Sequence, residues 1–329
     1  MGETEKERQV AMRAVIFDRY GPPEVLRIGD VDRPVPKEKE VLVKVHASSV
    51  TRGEAMGVRS NEYRFTRLFS GIRRPRRTTF GSEFAGRVEE VGTGVSEFRV
   101  GDDVFGIRAG SLAEYVAVPE SGVVAAKPSG LTYEEAAAIP DGALLALSCL
   151  RPAEPRGKQV LVYGAAGSVG SSAVQLLVNY FEARVTAVCD TKDVELVRSL
   201  GAEEVIDRFQ GDFTTSATTY DIIFDAVGRH SFRRCRRSLK PGGLYLTMDL
   251  GYGYHVPLLA VVTRFVGKNR AKVAIGRYRK NDLRLIKDLV EEGKYRPVID
   301  RRYAFDEVVA ATSYVESGQK TGSVIVAVP

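Results

Sequence analysis

VLVYGAAGSVGSSAVQLL (160–177) decides the fold. Val160, Leu161, Val162 and Tyr163 have strand character, and helical spacing begins beyond the glycines, through Ala173, Val174 and Leu177. The turn between them departs from the G-x-G-x-x-G dinucleotide pattern. Ala165 stands at the first glycine, with Gly167 and Gly170 at the second and third. Gly167 falls where backbone must approach a pyrophosphate closely, and Gly170 where the helix must pack tightly on the strand, so an alanine at the turn is the mildest of the three changes. Ala166, Gly167, Ser168 and Val169 are therefore the candidate pyrophosphate cradle, because a helix start offers amide donors and a positive dipole end to an anion.

Outward from this stretch, strands and helices alternate. RVTAVC (184–189) reads as a strand, 192–200 as a helix and 204–206 as a short strand. DIIFD (221–225) is another strand, and LYLTM (244–248) follows a turn at Gly242 and Gly243. This spacing predicts a parallel, doubly wound sheet, an α/β dinucleotide fold in the middle of the chain.

At 329 residues the chain exceeds one typical core, which predicts two domains. Hydrophobic content of 44% with 27% charged residues excludes a disordered chain. No apolar run reaches the ~18 residues needed to span a bilayer, and no secretory apolar segment follows Met1. The polar stretch 1–11 is expected to be a disordered tail. Cys149, Cys189 and Cys235 are odd in number and scattered, which favours a reducing, cytoplasmic setting without a disulfide framework.

Before the dinucleotide stretch, MRAVIFDR (12–19) and VLVKVHA (41–47) read as strands, with His46 taken as an ordinary strand residue. Short strands and glycine turns continue through FGSEFAGRVEEVG (80–92), 101–106 and AEYVAVP (113–119), which suits a small β-barrel-like domain. TYEEAAAI (132–139) begins a helix, with Thr132 as N-cap and Glu135 three residues on.

Together these residues resemble the medium-chain dehydrogenase/reductase superfamily, on its zinc-free quinone oxidoreductase-like branch. The motifs that carry the resemblance are GSEFAGRVEEVG (81–92), VGDDVFG (100–106), LAEYVAVPE (112–120), EEAAAIPDGA (134–143), GAAGSVG (164–170), DIIFDAVG (221–228) and LKPGG (239–243). They occur in the family's order. The resemblance implies a GroES-like β-rich catalytic domain from 12–132 and 280–329, with a Rossmann domain, 133–279, inserted between. A closing strand at 323–328 would return to the first domain.

Zinc-dependent members of that family hold their metal through a cysteine, a histidine beside a glutamate, and a further cysteine or acid. Those positions are matched here by Thr51, by Ser82 beside Glu83, and by about Asp141; no cysteine precedes Cys149. Hydroxyls cannot replace a thiolate and an imidazole, so no zinc is expected. Without a Lewis acid, oxidation of simple alcohols is hard, whereas reduction of a quinone or an α,β-unsaturated carbonyl needs only hydrogen-bond donors and a proton. Thr51 is the candidate donor. Tyr63 falls about where some enoyl-reductase relatives carry a proton-donating tyrosine; the alternative is a packed loop aromatic.

For the cofactor, the resemblance places Asp190, Lys192 and Arg208 around the adenosine ribose and Val227 and Gly228 near the nicotinamide. Asp190 suits a free 2′-hydroxyl and repels a phosphate, while Lys192 and Arg208 suit a 2′-phosphate. The balance favours NADP(H) slightly over NAD(H), with use of both expected. Leu145 replaces a threonine that relatives often place near the nicotinamide. Two other readings stand beside the reductase: a zinc-independent alcohol dehydrogenase, and a weakly catalytic nucleotide-binding protein.

The segment YRFTRLFSGIRRPRRTT (63–79) carries six arginines and no acid. It fits an amphipathic helix acting as an active-site lid or a peripheral membrane contact, or one simply packed on the catalytic domain. It lacks any nucleic-acid-binding motif, so no nucleic-acid partner is expected. A strand near 272–275, which relatives commonly place at a subunit-joining sheet edge, makes a homodimer the expected assembly.

Overall fold

The structure is a computed structural model, and it describes residues 11–59, 71–248, 255–265 and 268–329. The chain divides into two compact units. One comprises Met1–Pro140, Arg279–Lys287 and Ile299–Pro329, and the other Asp141–Tyr278 and Asp288–Val298.

The first unit opens with a hairpin, β1 (Ala11–Ile16) against β2 (Arg27–Asp32). Its larger sheet contains β3 (Glu40–Ser49), β4 (Glu83–Val91), β5 (Asp103–Ile107), β6 (Tyr115–Pro119) and β7 (Val124–Ala126). Two strands from the end of the chain complete it, β14 (Ile299–Tyr303) and β15 (Ser323–Ala327), in the order β14-β15-β3-β4-β5-β7 with β6 also on β3. The closing strand therefore does return, with Ile325 opposite Ser49. Strand β3 is buried on both faces over 41–43 and 47–49, and it places Val41, Val43 and Val45 in one core with Phe80, Phe84 and Val326. Helix α1 (Tyr133–Ala137) starts at a complete capping box: the Thr132 hydroxyl accepts from Glu135 N at 3.2 Å, and Thr132 N donates to the Glu135 carboxylate at 2.8 Å. His46 on β3 stacks on the Tyr133 ring at 4.4 Å, and Tyr133 in turn donates to Asp103 at 2.6 Å. That histidine is a packing residue.

The second unit follows the alternation read from the sequence. Helix α2 (Pro140–Leu150) leads to β8 (Gln159–Tyr163), α3 (Ser168–Asn179), β9 (Arg184–Cys189), α4 (Val194–Ser199) and β10 (Glu204–Asp207). Then come β11 (Tyr220–Asp225), α5 (Phe232–Cys235), β12 (Leu239–Thr247), α6 (His255–Phe265) and β13 (Arg270–Val273). All six strands are parallel, in the order β10-β9-β8-β11-β12-β13, the order of dinucleotide-binding sheets. Strand β12 begins five residues earlier than the expected start at Leu244; Gly242 sits at φ +84° inside it, and the pairing with β11 shifts register between Tyr220 and Ile222. The lysine, proline and glycines that look like a turn in sequence form an irregular stretch of strand. Helices α7 (Lys280–Glu291) and α8 (Val308–Glu316) lie toward the end of the chain. The second packs Val308, Ala311 and Val315 into the core of the first unit.

All three cysteines are free and buried, and burial pushes their thiols up, to about 11 for Cys149 and about 12 for Cys189 and Cys235. They are apolar packing groups rather than nucleophiles.

Candidate active site

The glycine turn explains its own departure from the motif. The left-handed residue is Gly164, at φ +77°, one position before the alanine. A Cβ there would collide with Val227 Cγ2. Ala165 needs no left-handed backbone and is fully buried, and its amide, like that of Gly164, donates to Val188 O at 3.0 Å. Gly167 is the N-cap of α3, and no side chain caps the helix. Its φ of −70° is open to any residue, and a Cβ built there would meet only Gly164 O, at 3.7 Å. The space in front of this helix start is thus open to a ligand, and its amides and dipole face it. Gly170 sits on the opposite side of that turn: a Cβ would overlap the Gly164 carbonyl oxygen and lie 2.9 Å from Ala165 Cα. Gly142, at the start of α2, makes room for Ser168, whose carbonyl carbon would lie 3.0 Å from a Cβ there. That requirement was not legible in sequence.

The corner expected to receive the adenosine ribose shows how Asp190 and Arg208 coexist. They form a two-point ion pair, Nη2 to Oδ2 at 3.2 Å and Nε to Oδ1. The Arg208 guanidinium lies 4.3 Å from the centre of the Phe209 ring. Hydrogen bonding from Arg208 holds the Asp190 carboxyl below the usual carboxylate range. Lys192 reaches Asp193 at 4.0 Å. The opposing signals read in the sequence are two halves of one contact, made because β9 and β10 are parallel neighbours with Cys189 opposite Asp207.

Beyond β11, Val227 and Gly228 belong to a loop pinned by a fully buried carboxylate. Asp225 Oδ1 accepts from Val227 N at 3.1 Å and Gly228 N at 2.8 Å, and Oδ2 accepts from His230 N at 2.9 Å. The Tyr245 hydroxyl stands 3.1 Å from Oδ2 and 2.7 Å from His230 O, and burial pushes its phenol up, keeping it protonated. Three amide donors can hold a carboxylate without a counter-ion. His230 meets Tyr163 and Phe213 edge to face, at 4.2 and 5.0 Å between ring centres. Asp225, Tyr245 and His230 were not singled out from the sequence, where the signal was an aspartate closing DIIFD after three apolar residues. Leu145 faces Gly276, where an added Cβ would collide with it.

In the first unit, Thr51 Oγ1 accepts from Glu54 N at 3.1 Å. The Ser48 and Ser111 hydroxyls both donate to Glu83 O, at 2.5 and 2.7 Å, and Ser49 bonds the buried Glu83 carboxylate. Glu83, beside the position where zinc-binding relatives carry a histidine, is thus tied to strand β3. Asp141, in the second unit, accepts from the Tyr278 hydroxyl at 2.5 Å. Among the described residues no cluster of three or more His, Cys, Asp and Glu side chains could hold a metal ion. Tyr63 lies outside the described residues, as do 64–70 of the basic segment. In the described remainder, Ile72, Arg73, Arg74 and Arg76 are exposed, while Arg77 pairs with Glu54. No helix among the described residues is long and apolar enough to cross a membrane.

Sheet order and the glycine turn define the class: a dinucleotide-fold oxidoreductase unit joined in one chain to a GroES-like unit. Comparison with known proteins agrees. The alcohol dehydrogenase GroES-like domain matches residues 37–128 and the zinc-binding dehydrogenase family matches residues 200–326. The chain is 34% identical over 337 residues to 2-methylene-furan-3-one reductase of Solanum lycopersicum, covering 96% of this chain and 79% of that protein. It is 32% identical to the chloroplastic NADPH-dependent alkenal/one oxidoreductase of Arabidopsis thaliana, again over 96% and 79%. The quinone oxidoreductase structure from Coxiella burnetii superposes with a TM-score of 0.85 at 28% identity, over 97% of this chain and 100% of that one. The chain belongs to the medium-chain dehydrogenase/reductase superfamily, on its quinone oxidoreductase-like branch.

Proposed function

We propose that this protein is a zinc-independent reductase that transfers hydride from NADPH, and less readily from NADH, to α,β-unsaturated carbonyls and quinones. The observation that carries the reading is the uncapped helix start at Gly167, with open space for a pyrophosphate and an arginine-bearing ribose corner on the same sheet. Relatives named for alkenal/one and furanone reduction support the acceptor class. The proposed division of labour is a catalytic domain at 12–132 and 280–329 and a cofactor domain at 133–279.

The bound cofactor would supply the hydride to the β-carbon of the acceptor. The carbonyl oxygen then gains an electron pair, and the chain's part is to hold that oxygen by hydrogen bonds and deliver a proton. Thr51 suits the first task, because its oxygen accepts from Glu54 N and its hydroxyl proton remains to be donated. Tyr63 is the proposed proton donor. Thr51 and Ser82 are hydroxyls, and the Asp141 carboxylate already receives Tyr278, so the donor set does not fit zinc.

The test is oxidation of NADPH and NADH, followed in the near-ultraviolet band of the reduced nicotinamide, against phenanthrenequinone and a simple enone. Turnover with both acceptors is expected, unchanged by chelators. Thr51→Val and Tyr63→Phe should both slow enone reduction. Binding of cofactor with no oxidation across a broad acceptor panel would sink the reading.

The Asp190–Arg208 pair sets the expected cofactor choice. Asp190→Ser releases Arg208 to a phosphate and should raise the NADPH to NADH preference, while Arg208→Ala leaves an uncompensated carboxylate and should lower it. Each change should be roughly tenfold, the effect of one well-placed charged contact. Unchanged ratios in both variants would remove this account of the ribose corner.

A homodimer through β13 is proposed as the assembly, since β13 is the edge of the six-stranded sheet and Ile275 just beyond it is 77% exposed. Light scattering should give twice the chain mass for the wild type and the monomer mass for Ile275→Asp. The buried free thiols fit a reducing compartment such as the cytoplasm; fractionation of the tagged protein tests this.

A further inference from the structure

We infer that Arg229 is a specificity-determining residue of the cofactor site, supplying the cation for the adenosine 2′-phosphate that Arg208, committed to Asp190, cannot supply alone. The inference rests on the NADPH reading above. Arg208 spends Nε and Nη2 on Asp190 and lays its plane on Phe209. A phosphate arriving there meets a guanidinium already neutralised and a carboxylate that repels it. Arg229 is different. Its side chain is exposed, and among the described residues it makes no ion pair within 4.0 Å and no hydrogen bond. Its backbone is held on both sides, because the amides of Gly228 and His230 are fixed on Asp225. An unspent guanidinium is thus carried from a backbone position fixed at both neighbours.

Topology brings it to the right corner. Strands β10, β9, β8 and β11 are parallel neighbours, so Arg208, Asp190, Tyr163 and Arg229 all emerge at one carboxyl edge of the sheet. The charge of Arg229 is felt there by both Asp190 and Tyr163. One guanidinium paired with Asp190 and one in no ion pair thus stand at the same carboxyl edge of the sheet. The free one turns a corner that Asp190 would otherwise reserve for a ribose hydroxyl into one that also accepts a phosphate, since a guanidinium is a strong phosphate partner.

The test uses the whole protein and nucleotide fragments, read by calorimetric binding rather than turnover. Adenosine 2′-monophosphate carries the distinguishing phosphate, and adenosine 5′-monophosphate carries the same base without it. Arg229→Gln should weaken the 2′-nucleotide about tenfold and leave the 5′-nucleotide within about twofold. Arg229→Lys, which keeps the charge, should recover most of the loss, and unchanged melting temperatures will show both variants folded. Equal 2′-nucleotide affinity in wild type and Arg229→Gln overturns the inference. So does an equal loss for both nucleotides, which would place Arg229 against the base. If the wild type binds neither nucleotide, the NADPH reading fails and the inference with it.

Discussion

Gly170→Ala is expected to destabilise the dinucleotide unit by about 3 kcal/mol and to abolish cofactor binding. The added methyl would overlap the Gly164 carbonyl oxygen, with Gly164 C at 2.8 Å and Ala165 Cα at 2.9 Å. All three obstacles are backbone, so no side-chain rotation relieves them; α3 must withdraw from β8 and carry the phosphate turn with it. A thermal midpoint lower by roughly 6–12 °C follows for a unit of this size. Gly167→Ala is the contrasting case, three residues away. Its φ of −70° suits alanine and its methyl would find only ordinary contact at 3.7 Å, so stability should stay within ~0.5 kcal/mol of wild type. Cofactor affinity should nevertheless fall, because the methyl enters the space proposed for the pyrophosphate. Calorimetric binding beside thermal unfolding separates the two. Undiminished affinity in Gly167→Ala would put the pyrophosphate elsewhere, and an unchanged midpoint in Gly170→Ala would refute the close helix–strand contact.

Asp225→Ala is the second large effect. The fully buried carboxylate satisfies the amides of Val227, Gly228 and His230 and stands beside the Tyr245 hydroxyl. Each orphaned buried donor costs ~1–3 kcal/mol; water entering the vacated volume recovers part of that, leaving a loss of about 3–5 kcal/mol, comparable to breaking a buried charged pair. Asp225→Asn should cost less, since one oxygen remains to accept while the new amide faces N–H groups it cannot serve. Tyr245→Phe should cost about 1 kcal/mol, the net worth of one hydrogen bond. Denaturant titration of the three variants checks the ranking Ala, then Asn, then Phe. A near-neutral Asp225→Ala would mean that the 226–230 loop is not held by this residue, and would also remove the rigid backbone on which the role of Arg229 depends.

Local chemistry in the chain was enough to specify a good deal of this protein. The alternation of apolar strands and helical spacing from 160 to 248 specified a parallel sheet, because short continuous apolar runs and a period of 3.6 are written residue by residue. The Thr132 and Glu135 capping box and the phosphate turn were legible for the same reason: each is a contact between residues a few positions apart. The hydroxyls at Thr51 and Ser82 argued against zinc only once the family resemblance had matched them to its ligand positions.

Tertiary structure decided what depends on neighbours distant in sequence. Asp190 and Arg208 read as opposing signals until parallel pairing of β9 with β10 joined them across 18 positions. Gly164, not Ala165, carries the turn's left-handed backbone, and Val227 on a different strand's loop fills the space a side chain there would need. His46 found Tyr133, and Asp225 found an amide at 230 and a phenol at 245, by the same means. A strand's residue types set which face it buries, but its partner and register are chosen only when whole sheets assemble, where burial and hydrogen-bond satisfaction are decided for all strands together.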